Sequence, residues 1–201
     1  MESYIENLGQ NNKIIIDETV KRTGGLKVRI LGNNNKLVIC AGTRLGNGLI
    51  EFTHSFSEIA IGERCLINGQ FRCRADEAII RIGSETTMMN SIMTLHEKGT
   101  ISVGFDCMLS GDVRMDVSDM HSILDAQTMQ RINPPEDIHI SDHVWIGQGV
   151  HILKGAEIGK DSILGAKAVV SSRIPSGSIA VGVPAKVVRD GITWDRRRLP
   201  V

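Results

Sequence analysis

The chain has 201 residues, enough for one substantial domain. Lys and Arg total 23, as do Asp and Glu, so no net field favours nucleic acid or an anionic membrane as partner. Only 3% of residues are aromatic while 21 are glycine, a mixture suited to a narrow core of Ile, Val, Leu, Ala and Cys. No run approaches the roughly 18 apolar residues of a membrane span, and the opening MESYIENLGQNNK lacks a signal peptide's apolar block. A cytoplasmic protein without stable membrane insertion is expected.

From the N-terminus, aliphatic doublets recur as Ile14-x-Ile16, Leu37-x-Ile39, Ile59-x-Ile61, Ile80-x-Ile82 and Ile101-x-Val103, at steps of 23, 22, 21 and 21 residues. Each reads as a short strand with one buried face. The runs between them, such as Gly32-Asn33-Asn34-Asn35 and Gly104-Phe105-Asp106, read as corners. Cys65, Cys73 and Cys107 fall on inward positions and are expected as small buried hydrophobes; with Cys40 they form no CxxC pair.

Val103 and Ile140 lie 37 residues apart, against 18 for the later turns. About 111–137 is therefore expected to leave the coil as one long protruding loop, with a short helical turn over DAQTMQR and Pro134-Pro135 returning the chain. From Ile140 an aliphatic residue then returns every sixth position, as Ile146, Ile152, Ile158, Leu164 and Val170. Small or branched residues stand two before each member, from Ile138 and Val144 to Ser162 and Ala168. A period of six fits neither a helix nor an ordinary strand; it reads as a parallel β-helix, each hexad one flat face plus a corner. The fold class is thus all-β, a parallel β-helix of about seven to eight coils, on the order of 35 Å long. Residues 1–189 would form the coil, and 190–201 a cap or tail, a short helix or irregular segment over the open end.

The run HVWIGQGVHILKGAEIGKDSILGAKAVVSSRIPSGSIAVGVPAKVVR, with SDMHSI in the loop before it and RIN shortly after SDMHSI, resembles the hexapeptide-repeat acyltransferases. Within them it is similar to the sugar and capsular-polysaccharide O-acetyltransferases, including those of polysialic acid. The resemblance is strong over roughly Gly104 to Arg189 and rests on periodicity alone before that. It implies a left-handed coil, a homotrimer, a saccharide acceptor, and acetyl-CoA as co-substrate in a cleft between subunits.

His121, in the loop and flanked by Asp119 and Asp125, suits a general base: an imidazole of ordinary pKa ~6.5 can take an acceptor hydroxyl's proton near neutral pH. It matches the family's catalytic histidine. Asp119 or a backbone carbonyl would orient the ring. Trp145 follows an inward valine and so points outward, and the resemblance implies that it lines the cofactor and acceptor cleft. Gly147, Gly165 and Ala166 would let the pantetheine lie against bare backbone; Ser171 would add a polar contact, and Lys186 and Arg189 would meet the nucleotide phosphates. Arg196, Arg197 and Arg198 read as solubilising charges. Arg114, Asp119 and Met120 are the acceptor-side candidates, and the stretch around Gly111 the candidate oxyanion donor. His139 and His143 lack a clear third partner, so no metal is expected. Three other readings stay open: transfer to the amine of a nucleotide sugar, a metal-dependent hydratase of the same coil, and a non-catalytic solenoid.

Overall fold

The computed structural model describes residues 4–200. It is all-β, a left-handed parallel β-helix of about eight turns with no helix among those residues. One face is a sheet of seven strands, in stacking order Lys13–Ile16, Lys36–Ile39, Glu58–Ile61, Ala78–Ile82, Gly99–Val103, Ile138–Ile140 and Glu157–Ile158. Ile14, Leu37, Ile59, Ile80, Ile101 and Ile138 stand in one register row. These are the first members of the sequence doublets. Strand period two sends both members inward, where Leu37, Ile59, Ile80 and Ile101 are wholly buried.

The other two faces are continuous in the middle coils. Strands Arg44–Phe52, Leu66–Cys73, Thr87–Leu95 and Met108–Asp116 each run along one face, turn a corner and run along the next, with a register shift at the corner. At Gly48 and Gly69 this corner needs φ near +147° and +146°, and a Cβ on Gly48 would strike the Gly69 carbonyl oxygen. Only glycine fits there. In later coils the same path breaks into two short pieces, Trp145–Ile146 above Met108–Leu109 and His151–Leu153 above Arg114–Asp116.

A second corner has a different construction. Arg64, Glu85, Asp106, His143 and Asp161 take left-handed φ of 53°, 61°, 50°, 54° and 62°, one per coil, and Gly177 continues the column at 65°. Such a φ costs roughly 1–2 kcal/mol for a non-glycine residue. Each N–H donates to the corner of the preceding coil, as in Asp106 to Ser84 (2.9 Å) and His143 to Phe105 (2.7 Å). The strain is offset by the hydrogen-bond ladder.

Both aliphatic columns of the hexads are buried: Ile146, Ile152, Leu164, Val144, Val150 and Ser162 are 0% exposed. Ser162 is tolerated because its hydroxyl donates to the Pro175 carbonyl at 2.8 Å. Cys65, Cys73 and Cys107 lie in the core as expected, and burial pushes the Cys73 thiol up to about 12 and the Cys107 thiol to about 11.

Two expectations change. The excursion begins six residues later than position 111, because Gly111–Asp116 stay in the ladder of Met108–Asp116; residues 117–137 are what leave the coil. Its DAQTMQR run closes one turn, Met129 N–H to Asp125 C=O, and goes no further, because Leu124 bridges Arg131 antiparallel across it. The tail also differs. Lys186–Arg189 turns back to pair antiparallel with Ile179–Val181. The residues after it lie along the wall rather than over the open end. Ile192 bonds Gly177, Thr193 bonds Asp161, the Trp194 indole bonds the His143 carbonyl and Arg196 bonds Asp106. These partners are the left-handed corner column, which supplies one polar group per coil for the tail to follow.

Candidate active site

Met108–Asp116 divides the candidate residues. Its first half carries the strand of Trp145, and its far end, beyond the corner at Gly111 and Asp112, carries the strand of His151 and releases the excursion. Trp145 and His121 therefore do not share a face of the coil. One copy of the chain does not bring them together.

The excursion is tied to the coil by polar contacts. Arg131 holds Glu97 bidentately at 2.6 and 2.7 Å. Lys154 reaches Asp119 at 2.6 Å and the Pro134 carbonyl at 3.2 Å. Asn133, buried at 6% exposure, is the centre of the loop. Its amide donates to the Asp119 carboxylate and the His121 carbonyl, both at 2.8 Å, while its oxygen accepts from Ile123 N–H (2.7 Å) and Arg131 Nε (3.2 Å).

His121 is thus fixed by its backbone, its N–H donating to the Asp119 carbonyl at 2.7 Å, while its ring carries no hydrogen bond among the described residues. Asp119 does not orient that ring. Its carboxylate is taken by Lys154 and Asn133, and these two, Lys154 first, hold it below the usual carboxylate range. Asp125 is likewise spent on its own turn, accepting from the Gln127 and Thr128 amides.

The three acceptor-side candidates do meet. Arg114, Asp119 and Met120 line one cavity of about 530 Å³ at the base of the excursion, with Arg72, Thr94 and His96 on its floor and wall. His151 and Asp116 enter the same cavity as a hydrogen-bonded pair, Nε2 to Oδ2 at 2.7 Å. Burial, aided by Arg74 and Arg72 and opposed by Asp116, pushes His96 below the usual imidazole value. Arg72, whose Nε is buried without a hydrogen-bond partner, is part of this lining.

On the other face, the cofactor candidates fall in two outward rows. Trp145, Ile163, Ile179 and Arg189 are successive partners in one. In the next, Gly147 and Gly165 lead to Val181 and Lys186. Lys186 and Arg189, three apart in sequence, would point opposite ways in a regular strand. The bulge at Val188 pairs them with Val181 and Ile179, which share a face, and so returns both cations to one side. From Trp145 to Arg189 is three strand spacings, about 14 Å. Trp145 is 37% exposed, and Ala166 and Ser171 are exposed beside the rows.

Packing alone explains the glycines: a Cβ on Gly147 would come within 2.7 Å of the Ala166 nitrogen, and one on Gly165 within 2.6 Å of Val181 Cγ1. At Gly111 a Cβ would meet nothing within 4 Å. His139 bonds Ser102 and His143 bonds Asp161 (2.8 and 2.7 Å), and the described residues hold no group of three or more His, Cys, Asp or Glu arranged to hold a metal ion. Arg196 is not simply solubilising. It binds Asp106, Thr87 and the Cys107 carbonyl at 2.9, 3.0 and 3.0 Å.

Sequence reasoning missed Asn133, Lys154, the His151–Asp116 pair, Arg72, His96 and Trp194. Two had visible signals. Asn133 is the last residue of the RIN triplet, and Trp194 is an isolated indole in a polar tail.

Residues 137–172 match the model for the bacterial transferase hexapeptide (six repeats). The polysialic acid O-acetyltransferase of Neisseria meningitidis is 34% identical over 94% of this chain and 88% of its own length. The crystal structure of the polySia-specific acetyltransferase NeuO superposes with a TM-score of 0.85 at 30% identity, covering 96% of this chain and 88% of that one. The polysialic acid O-acetyltransferase OatWY superposes at 0.72, also with 30% identity, over 97% and 92%. These matches run through the excursion and the N-terminal coils as well as the hexads, and the chain belongs to the hexapeptide-repeat acetyltransferases as an O-acetyltransferase of this group.

Proposed function

We propose that the enzyme moves acetyl from acetyl-CoA to a hydroxyl of an acidic capsular saccharide, a sialic acid polymer foremost, at clefts between the subunits of a homotrimer. The observation that carries this reading is the likeness along nearly the whole chain, excursion included, to two polysialic acid O-acetyltransferases of known structure. A cavity lined by Arg72 and Arg114 suits a carboxylated sugar. The separation of His121 from Trp145 supports a composite site, in which the excursion of one copy meets the Trp145 face of the next. Met120, Ile123, Met129 and Ile132 on the excursion are 54–66% exposed, apolar surface that a neighbouring copy would cover. Four free cysteines, three of them buried, suit the reducing cytoplasm where acetyl-CoA is made available.

In the proposed reaction His121 removes the acceptor hydroxyl proton as that oxygen attacks the thioester carbonyl. The oxyanion is held by a donor near Gly111, and collapse breaks the C–S bond. The imidazolium then returns its proton to the leaving thiolate. Transfer is direct, without an acyl-enzyme. Trp145, Gly147, Ala166 and Ser171 line the donor arm, with Lys186 and Arg189 on its phosphates; Arg114, Asp119 and Met120 face the acceptor. A second reading makes His151 the base, since its ring already bonds Asp116 inside the cavity. Labelled acetyl-CoA with sialic acid polymer and with neutral glycans tests the acceptor. His121→Ala should abolish transfer and leave the trimer intact, whereas loss only on His151→Ala would favour the second reading. Transfer to neutral glycans alone would overturn the acceptor assignment.

A further inference from the structure

The tail ends its path beside Trp145. Trp194 lies with its ring stacked on His143, centroids 4.2 Å apart and planes within 5°, and its Nε1 donates to the His143 carbonyl at 2.8 Å. The Arg196 guanidinium sits over the same indole at 5.6 Å. Trp194 is therefore held by both His143 and Arg196 and is only 8% exposed, an unusual degree of fixation for an irregular terminal segment. His143 beneath it is anchored in turn, bonding Asp161 at 2.7 Å with Asp106 3.7 Å from its other nitrogen. Arg196 ties the far end to Asp106 and to the Cys107 carbonyl. The exposed edge of this assembly faces Trp145, at 6.2 Å between ring centroids and 51° between planes.

We propose that residues 192–196 form a wall of the donor cleft and that Trp194 is a positioning residue, fixing the Trp145 ring in the orientation that receives the acyl thioester. The inference rests on the reading of Trp145 as a donor-cleft residue. An outward indole on a flat strand has several rotamers open to it. Among the described residues, the one aromatic neighbour that limits them is Trp194. The tail supplies from outside what the coil cannot, because inward positions serve the core and outward neighbours in the same row are aliphatic.

The chain contains two tryptophans, so Trp194→Phe leaves Trp145 as the sole indole emitter. In that variant acetyl-CoA should quench Trp145 emission, and the acetyl-CoA KM should lie between those of the parent and Trp194→Ala, because phenylalanine keeps the ring and loses the Nε1 bond. Trp194→Ala should raise the acetyl-CoA KM about fivefold, the cost of ordering one freed side chain, and lower Trp145 emission anisotropy, with little change in acceptor KM. Arg196→Ala, which frees the far end and keeps both indoles in the chain, should shift KM in the same direction and serves if Trp194→Ala does not fold. An unchanged acetyl-CoA KM in both variants overturns the proposal, as does a fall in melting temperature without a KM change, which would make the tail a structural pin. Absence of quenching in Trp194→Phe refutes instead the donor-cleft reading of Trp145, a distinguishable failure.

Discussion

Replacing Asn133 by alanine tests whether the excursion must be fixed for catalysis. The amide makes four hydrogen bonds, to Asp119, His121, Ile123 and Arg131. Each contributes about 1 kcal/mol net, and a buried partner left bare costs more. All four partners belong to exposed residues and all four bonds are part-buried, so water replaces part of each. The net loss is about 2 kcal/mol of loop fixation, which would lower kcat about 30-fold if turnover requires the fixed loop. The acetyl-CoA KM should change less than kcat, because Asn133 bonds only residues of the excursion itself. Nor should the melting temperature move, since the excursion can open without unwinding the coil. Asn133→Asp keeps the acceptor for Ile123 and Arg131 but sets a second carboxylate against Asp119, so it should be no better at neutral pH. Steady-state kinetics with sialic acid polymer, together with amide exchange at Ile123, measures both effects. A kcat within twofold of the parent, with Ile123 exchange accelerated, would show that loop fixation is irrelevant to the chemistry.

Lys186→Ala with Arg189→Ala should raise the acetyl-CoA KM about tenfold at low salt, with kcat unchanged and the difference shrinking as salt screens the parent's contacts; equal affinity at all salt concentrations would remove both residues from the donor site. Cys73 and Cys107, with thiols pushed up to about 12 and 11, should resist maleimide in the native protein at pH 8 while half-buried Cys40 reacts first. Rapid labelling of all four would contradict the inward columns. Asp119 is held below its ordinary value, so its contribution is present above the unfolded carboxylate range and is lost only as pH falls through the lowered folded value. Lys154→Met should therefore raise the pH at which the excursion becomes sensitive to pepsin. An unchanged acid threshold would show that the Lys154–Asp119 pair does not hold the loop.

The coil was legible because its rule is one-dimensional. Inward residues repeat at a fixed interval along each turn, and a step of 21 or 18 residues places Ile80 on Ile101 or Ile140 on Ile158 without any knowledge of side-chain contacts. The same rule identified Trp145 as outward and Ile138 and Ile140 as inward. It fails wherever partners are chosen by the length of an insertion. Asp119 and Lys154 meet across 35 residues, Asp116 and His151 across the same distance, and Arg196 and Asp106 across 90. The two separations of 35 are not multiples of the repeat, because the excursion intervenes, and the separation of 90 spans the excursion and the returning tail rather than a run of stacked hexads.

Polar selection followed the same division. Asp119 stood beside His121 in sequence and was the natural orienting partner, yet Lys154, at the end of a strand one coil on, takes its carboxylate at 2.6 Å and leaves the ring without it. The repeat sets where backbones stack, while charges pair with whatever the stack brings within reach. The coil accordingly supplies two fixed faces, one bearing the Trp145 rows and one bearing the cavity, and it is the excursion and the tail, the two segments outside the repeat, that furnish each face with groups the hexads do not have. On the proposed reading, such a site would change its acceptor through residues 117–137 and its donor wall through residues 192–196, with the inward columns untouched.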